Sequence, residues 1–156
     1  MRFWDSSAVL AVVLSEPGPL SLAPFLDGEA AGALWRLTSV EVRSALSRRV
    51  RERALEPGAA ERIWSRFLRL RTEFLVVDQI HAVAERAESL LVGHALRAAD
   101  ALQLAAALLV REAAEVSLEF VTLDRRLAKA AAAEGFVVLP PPTGEGRVAE
   151  RTRRPR

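Results

Sequence analysis

Residues 97–110 read RAADALQLAAALLV, a run that is apolar on nearly every side of a helix and yet carries an aspartate, Asp100, in its first turn. A helix without a polar face belongs at the centre of a domain. Burying an ionised carboxylate there is very costly unless it is paired, hydrogen-bonded or bound to a metal, and the helix itself offers only Arg97 and Gln103 as polar neighbours. One local explanation is that Asp100 lies at the helix N-terminus, where the macrodipole favours negative charge. The rest of the chain decides whether that is enough.

Working outward from this helix, 79–92 carries Ile80, Val83, Ala84, Ala87 and Leu91 as a clean helical stripe, with Gly93 expected as its C-cap. Before it, 74–77 reads as a strand, and 59–70 as a helix with Ile63, Trp64, Phe67 and Leu70 on one side. Thr38 starts a helix whose apolar positions Val42, Ala45, Leu46 and Val50 keep the helical period, and 32–37 reads as a strand. Nearer the N-terminus, 21–26 is expected as a short helix closed by Gly28. A helix from Ser6 to Leu14 must end by Pro17-Gly18-Pro19, and 2–5 is a short strand. On the other side, 118–123 is a strand, 125–134 a helix stopped at Gly135, and 136–139 a last strand. Strands alternating with helices, without hairpin signals, predict an α/β domain with a mostly parallel five-stranded sheet. The short apolar runs FLVV, EFVTL and FVVL suit strands buried on both faces.

The chain is 156 residues long, enough for one domain with its own core. It has no cysteine, which excludes disulfides, thiolate metal sites and cysteine nucleophiles, and accords with a reducing cytoplasm. Its apolar runs are too short to span a bilayer and its first residues do not resemble a signal peptide, so a cytoplasmic location is expected. The formal net charge is +2. Residues 140–156 hold Arg147, Arg151, Arg153, Arg154 and Arg156 against Glu145 and Glu150, so the basic character sits in a C-terminal tail, expected to be flexible. Such a tail suits phosphate neutralisation and equally a solvated terminus.

Asp5 ends the first strand, Glu41 follows the second closely, and Asp124 follows the fourth. In an open α/β sheet the site lies beyond the carboxyl ends of the strands, so these three and Asp100 are candidates to converge. Each has a local alternative. Asp5 and Asp124 suit N-caps, and Thr38 with Glu41 fits the capping-box pattern. Asp78, which also ends a strand and opens a helix, serves as a control assigned to capping alone. As a set the four carry more weight. Two unit charges about 4 Å apart repel by roughly 4 kcal/mol at an effective dielectric near 20, so clustered carboxylates take up protons or bind cations. Oxygen-only donors suit hard cations such as Mg²⁺ or Mn²⁺, the ions of phosphodiester hydrolysis.

The segments FWDSSAVLAVVL, LTSVEVRSAL, LRAADALQLAAAL and FVTLDRRLAKAAAAEGFVVL, in that order from about Arg2 to Leu139, together resemble the PIN-domain ribonucleases, particularly the VapC-like toxins of bacterial toxin–antitoxin pairs. The resemblance implies a PIN-like three-layer domain over 1–139, a sheet of order 3-2-1-4-5 flanked by helices, and Asp78 on an edge strand. It also implies that Asp5, Asp100 and Asp124 hold one or two Mg²⁺ or Mn²⁺ ions, with Glu41 ligating directly or through water. Ser7 and Thr122 match hydroxyl positions expected to support the site. The implied activity is metal-dependent hydrolysis of RNA, and the implied partners are an RNA substrate, an antitoxin protein and a second copy of the chain.

Other readings fare less well. His81 shares a solvent stripe with Glu85 and Glu88, and His94 follows a glycine, so neither suits catalysis. Trp4, Trp35 and Trp64 read as core, and Lys129, the single lysine, as surface. A dehalogenase-like phosphatase with Asp5 as nucleophile would need a second aspartate where Ser7 stands. A catalytically silent RNA-binding module has no need of all four acids, and a PIN nuclease of RNA processing outside toxin–antitoxin biology differs only in partners.

Overall fold

Short β-branched and aromatic runs alternate with longer segments of helical period, and each becomes the element its pattern dictates. The computed structural model describes residues 1–14, 22, 31–114 and 117–140. Among them are five strands, β1 (Arg2–Trp4), β2 (Gly32–Trp35), β3 (Phe74–Val77), β4 (Glu119–Val121) and β5 (Val137–Leu139). The helices are α1 (Ser6–Leu14), α2 (Thr38–Arg51), α3 (Pro57–Arg71), α4 (Ile80–Gly93), α5 (Ala98–Ala114) and α6 (Arg125–Ala133). The short helix expected over 21–26 lies, but for Leu22, outside the described residues, as does the tail beyond Pro140.

Every strand pairing is parallel, as the alternating pattern leads one to expect, and the order is β3-β2-β1-β4-β5, as the family resemblance implies. Successive side chains of a strand point to opposite faces, so a sheet covered on both sides needs both to be apolar. Phe3 packs on one face with Ala33, Val83, Leu104, Phe120 and Leu127. Trp4, the next residue, packs on the other with Val9, Val42, Leu46, Phe67 and Val121. Helices α4, α5 and α6 thus cover one face and α1, α2 and α3 the other. Each fully buried aliphatic side chain contributes roughly 1.5–3 kcal/mol to this three-layer arrangement. A Cβ on Gly32 would stand 2.5 Å from the Phe74 ring, so only glycine lets β2 begin beside β3 in this way.

Several boundaries differ from the sequence reading, and three of them have a visible cause. Helix α3 starts at Pro57, whose missing N–H falls where a helix has no use for one. Helix α4 runs through Gly93 and ends at the extended His94, so Gly93 is not its C-cap. Helix α5 continues four residues past Val110, because its polar end finds partners. Arg111 lies over the Phe136 ring at 4.4 Å and donates to the Glu134 carbonyl, and Glu112 accepts from Arg86 at 2.6 Å. Among the described residues no helix is long and apolar enough to cross a membrane.

Candidate active site

The strand order reverses at β1, and the carboxyl ends of β1, β2 and β4 therefore open onto one region. Asp5 is the first residue beyond β1, tied to the sheet by its N–H donating to the Val121 carbonyl at 3.0 Å. It is 3% exposed. Its Oδ1 accepts from Ser7 Oγ at 2.7 Å and from the Ala8 N–H at 3.1 Å, so it caps α1 while facing the site. Burial pushes its carboxyl up to about 6, against the hydrogen bonds from Ser7 and Ala8, and the Glu41 charge adds to the rise.

Glu41 does not close a capping box. Leu37 precedes α2, no side-chain cap bond forms there, and Thr38 turns into the core. Glu41 instead accepts from Ser6 Oγ at 2.6 Å through Oε2 and from Gln103 Nε2 at 2.8 Å through Oε1. Burial raises its carboxyl above the ordinary range. The bonds from Ser6 and Gln103 oppose that, and the Asp100 charge reinforces it. Among the described residues no neighbouring cation enters the balance at Asp5 or at Glu41.

Asp100 stands half-buried in the first turn of α5, where Oδ2 accepts from the Arg97 N–H at 3.3 Å. Its position at the helix N-terminus is favourable for a carboxylate, as the local reading expects. Asp124 caps α6, its Oδ1 accepting from the Arg126 and Leu127 N–H groups at 2.8 and 3.0 Å. Two hydroxyls join it to Asp5. Thr122 Oγ1 accepts from the Asp124 N–H at 3.0 Å, Ser7 Oγ accepts from the Leu123 N–H at 2.9 Å, and the two hydroxyls lie 3.4 Å apart.

The structure thus links Asp5, Glu41 and Asp100 electrostatically and reaches Asp124 through Ser7 and Thr122. Among the described residues no three acidic, histidine or cysteine groups come close enough to form a ready-made metal cage. Asp78 stays apart, but not as a helix cap. Gln79 precedes α4 without a side-chain cap bond, and Asp78 instead lies 3.6 Å from Arg36 on the surface. His94 is not a free surface residue either, since its Nε2 meets Glu134 Oε1 at 2.7 Å. The motif reading passes over Ser6 and Gln103 as site residues. A single amide three positions after Asp100, in a helix otherwise alanine and leucine, is the signal that points to the second.

With this arrangement in hand, comparison with known proteins is specific. The sequence model of the PIN domain matches residues 2–133. Ribonuclease VapC45 and Ribonuclease VapC49 of Mycobacterium tuberculosis are each 35% identical over 141 residues, 88% of this chain and 94% of theirs. Among solved structures, PAE2754 from Pyrobaculum aerophilum superposes with a TM-score of 0.60 at 22% identity, covering 88% of this chain and 82% of that one. FitAcB from Neisseria gonorrhoeae gives 0.60 at 21% identity over 88% of this chain and 96% of its own.

Proposed function

This chain belongs to the PIN-domain family, and on that premise we propose that it is an endoribonuclease, the toxin of a toxin–antitoxin pair, working with Mg²⁺ or Mn²⁺ at Asp5, Glu41, Asp100 and Asp124. The observation that carries the reading is Asp5, a buried carboxyl whose pKa is raised to about 6 beside a second raised carboxyl, with no cation among the described residues to offset either. A fully buried structural carboxylate is ordinarily paired with a cation. Among the described residues this pair has hydroxyl, amide and backbone donors, which orient oxygens without neutralising them.

The donor set fits a hard divalent ion, since every candidate ligand is a carboxylate oxygen. Asp5, Asp100 and Asp124 would hold it, with Glu41 alongside. Bound there, the ion supplies Lewis acidity toward water and charge to offset the phosphodiester. The chain's own residues do the rest. Ser7 fixes the rotamer of Asp5 and the turn at Leu123, and Thr122 fixes the turn into Asp124. Ser6 and Gln103 keep the Glu41 carboxylate aimed.

The partners follow the same reading. We assign RNA as substrate, an antitoxin protein as inhibitor, a homodimer as the assembly and the cytoplasm, where RNA is found, as the location. Exposed apolar side chains such as Val40, Leu75 and Ile80 support protein partners. The test is cleavage of a mixed RNA pool by purified protein with Mg²⁺ or Mn²⁺, with EDTA, and with Asp5→Asn and Asp100→Asn. Metal-dependent cleavage that disappears in both folded variants is expected. Cleavage persisting in both would move the site elsewhere, and none from a folded wild type free of antitoxin would favour the silent binding module.

A further inference from the structure

Glu41 is held on both oxygens by side chains from opposite faces of the sheet. Ser6 donates to Oε2 from the start of α1, and Gln103 donates to Oε1 from α5. Each donor is a near neighbour of another acid of the site. Ser6 follows Asp5, and Gln103 lies three residues after Asp100, on the same side of its helix. Gln103 is 1% exposed, and its amide also meets the Thr38 hydroxyl, Nε2 to Oγ1 at 3.1 Å and Oγ1 to Oε1 at 3.5 Å. The carboxylate settles which way the amide faces. An amide oxygen turned toward Glu41 would repel it, so the NH₂ end must point there.

A buried amide could serve only to join α2 to α5. Thr38 alone would satisfy that purpose, for the two groups are buried together and answer each other's hydrogen bonds. The second N–H of Gln103, spent on Glu41, is surplus to packing. Ser6 likewise has no packing reason to reach a carboxylate 35 residues away.

We infer that Ser6 and Gln103 form a clamp that positions Glu41 toward Asp5 and Asp100, with Gln103 as its buried arm. Both are positioning residues acting through Glu41. This rests on the metal-dependent nuclease reading for its consequence, but its geometry does not. Outer partners of metal-site ligands, when removed, typically cost about 10–100-fold in affinity or activity. Gln103→Met keeps the volume and removes the donor, and is expected to weaken Mn²⁺ binding and kcat about tenfold or more while leaving KM for RNA within about twofold. Ser6→Ala is expected to do the same to a smaller degree, and it stands outside the core, so its folding is safe.

The decisive measurement is a double-mutant cycle on the full chain, read by Mn²⁺ calorimetry as well as by cleavage. If the clamp acts through Glu41, Gln103→Met and Ser6→Ala add nothing in the Glu41→Gln background. If their effects multiply there instead, the two residues serve only folding and the inference falls. Should Gln103→Met lose its cooperative melting transition, Ser6→Ala carries the cycle alone. A wild type that binds Mn²⁺ but cleaves no RNA would overturn the nuclease reading and leave the clamp to the calorimetric cycle. A wild type that binds no Mn²⁺ would overturn the clamp as a metal-site device.

Discussion

Asp5 and Asp78 look alike in sequence and end in opposite circumstances. Each follows a short apolar strand and precedes a helix. Asp5 closes β1 at the centre of the sheet, is 3% exposed and has its carboxyl pushed up to about 6. Asp78 closes β3 at the edge, its side chain 61% exposed and facing Arg36. Local sequence is therefore not what buries a carboxylate at a strand end. Strand order is, because a central strand is covered by helices on both faces and flanked by two neighbours, and its exit can be kept from water. The edge strand lacks one neighbour, and water reaches its exit.

The comparison breaks most sharply on activity. Asp5→Asn should lower RNA cleavage by more than about 100-fold, a larger loss than removing an outer partner of a metal site. Asp78→Asn should stay within about twofold of wild type. Equal losses in the two variants would show that the ends of β1 and β3 are functionally alike, against the topology.

Stability sharpens the same contrast with a sign that a structural aspartate would not give. An unfolded aspartate has a pKa near 3.9, and the folded value of Asp5 is about 6. Between those values the folded state holds a proton that the unfolded state has lost. The metal-free protein should accordingly lose stability as pH rises from about 4 to about 6 and lose no more from this group above that. Two pKa units amount to about 3 kcal/mol as an upper measure. Asp5→Asn should match wild type near pH 4 and exceed it by up to that amount at pH 8, measured by urea unfolding in EDTA. Glu41, raised for the same first reason, leaves a smaller slope of the same sign in the variant. Saturating Mn²⁺ should narrow the difference by stabilising wild type alone. A variant less stable than wild type at pH 8 in EDTA would mean that the buried charge is not a cost.

How much of this was legible follows the same division. The elements were readable because each carries its period locally, and α5 declared itself central through RAADALQLAAALLV. That helix was cut short at Val110 because the reading followed apolar residues, whereas Arg111 and Glu112 are kept helical by Phe136, Glu134 and Arg86 from elsewhere in the chain. Asp5, Glu41, Asp100 and Asp124 could be nominated from strand ends and one odd helix, but their order across the sheet came from family likeness rather than from periodicity. The capping box at Thr38 was a correct pattern with the wrong outcome. Both residues find better partners across the fold, Thr38 in Gln103 and Glu41 in Ser6 and Gln103, and no local rule weighs contacts 35, 62 and 65 residues apart. Asp78 was set apart from the other acids as a helix cap, and that reason proved mistaken, since its side chain turns to Arg36 rather than to the helix it precedes.

The smallest effect tests that last point. If Asp78 capped α4, replacing it by alanine would cost about 1 kcal/mol whatever the salt, as lost N-caps typically do. The observed contact is a surface pair at 3.6 Å between half-exposed partners, worth roughly 0–1 kcal/mol and screened by ions. Asp78→Ala should therefore cost less than about 0.5 kcal/mol at low salt and nothing measurable at 1 M, and Arg36→Ala should match it. In an Arg36→Ala background Asp78→Ala should add nothing, because the pair is already broken. A salt-independent loss confined to Asp78 would return it to the helix terminus and make the ends of β1 and β3 locally alike, leaving burial as the sole difference between them.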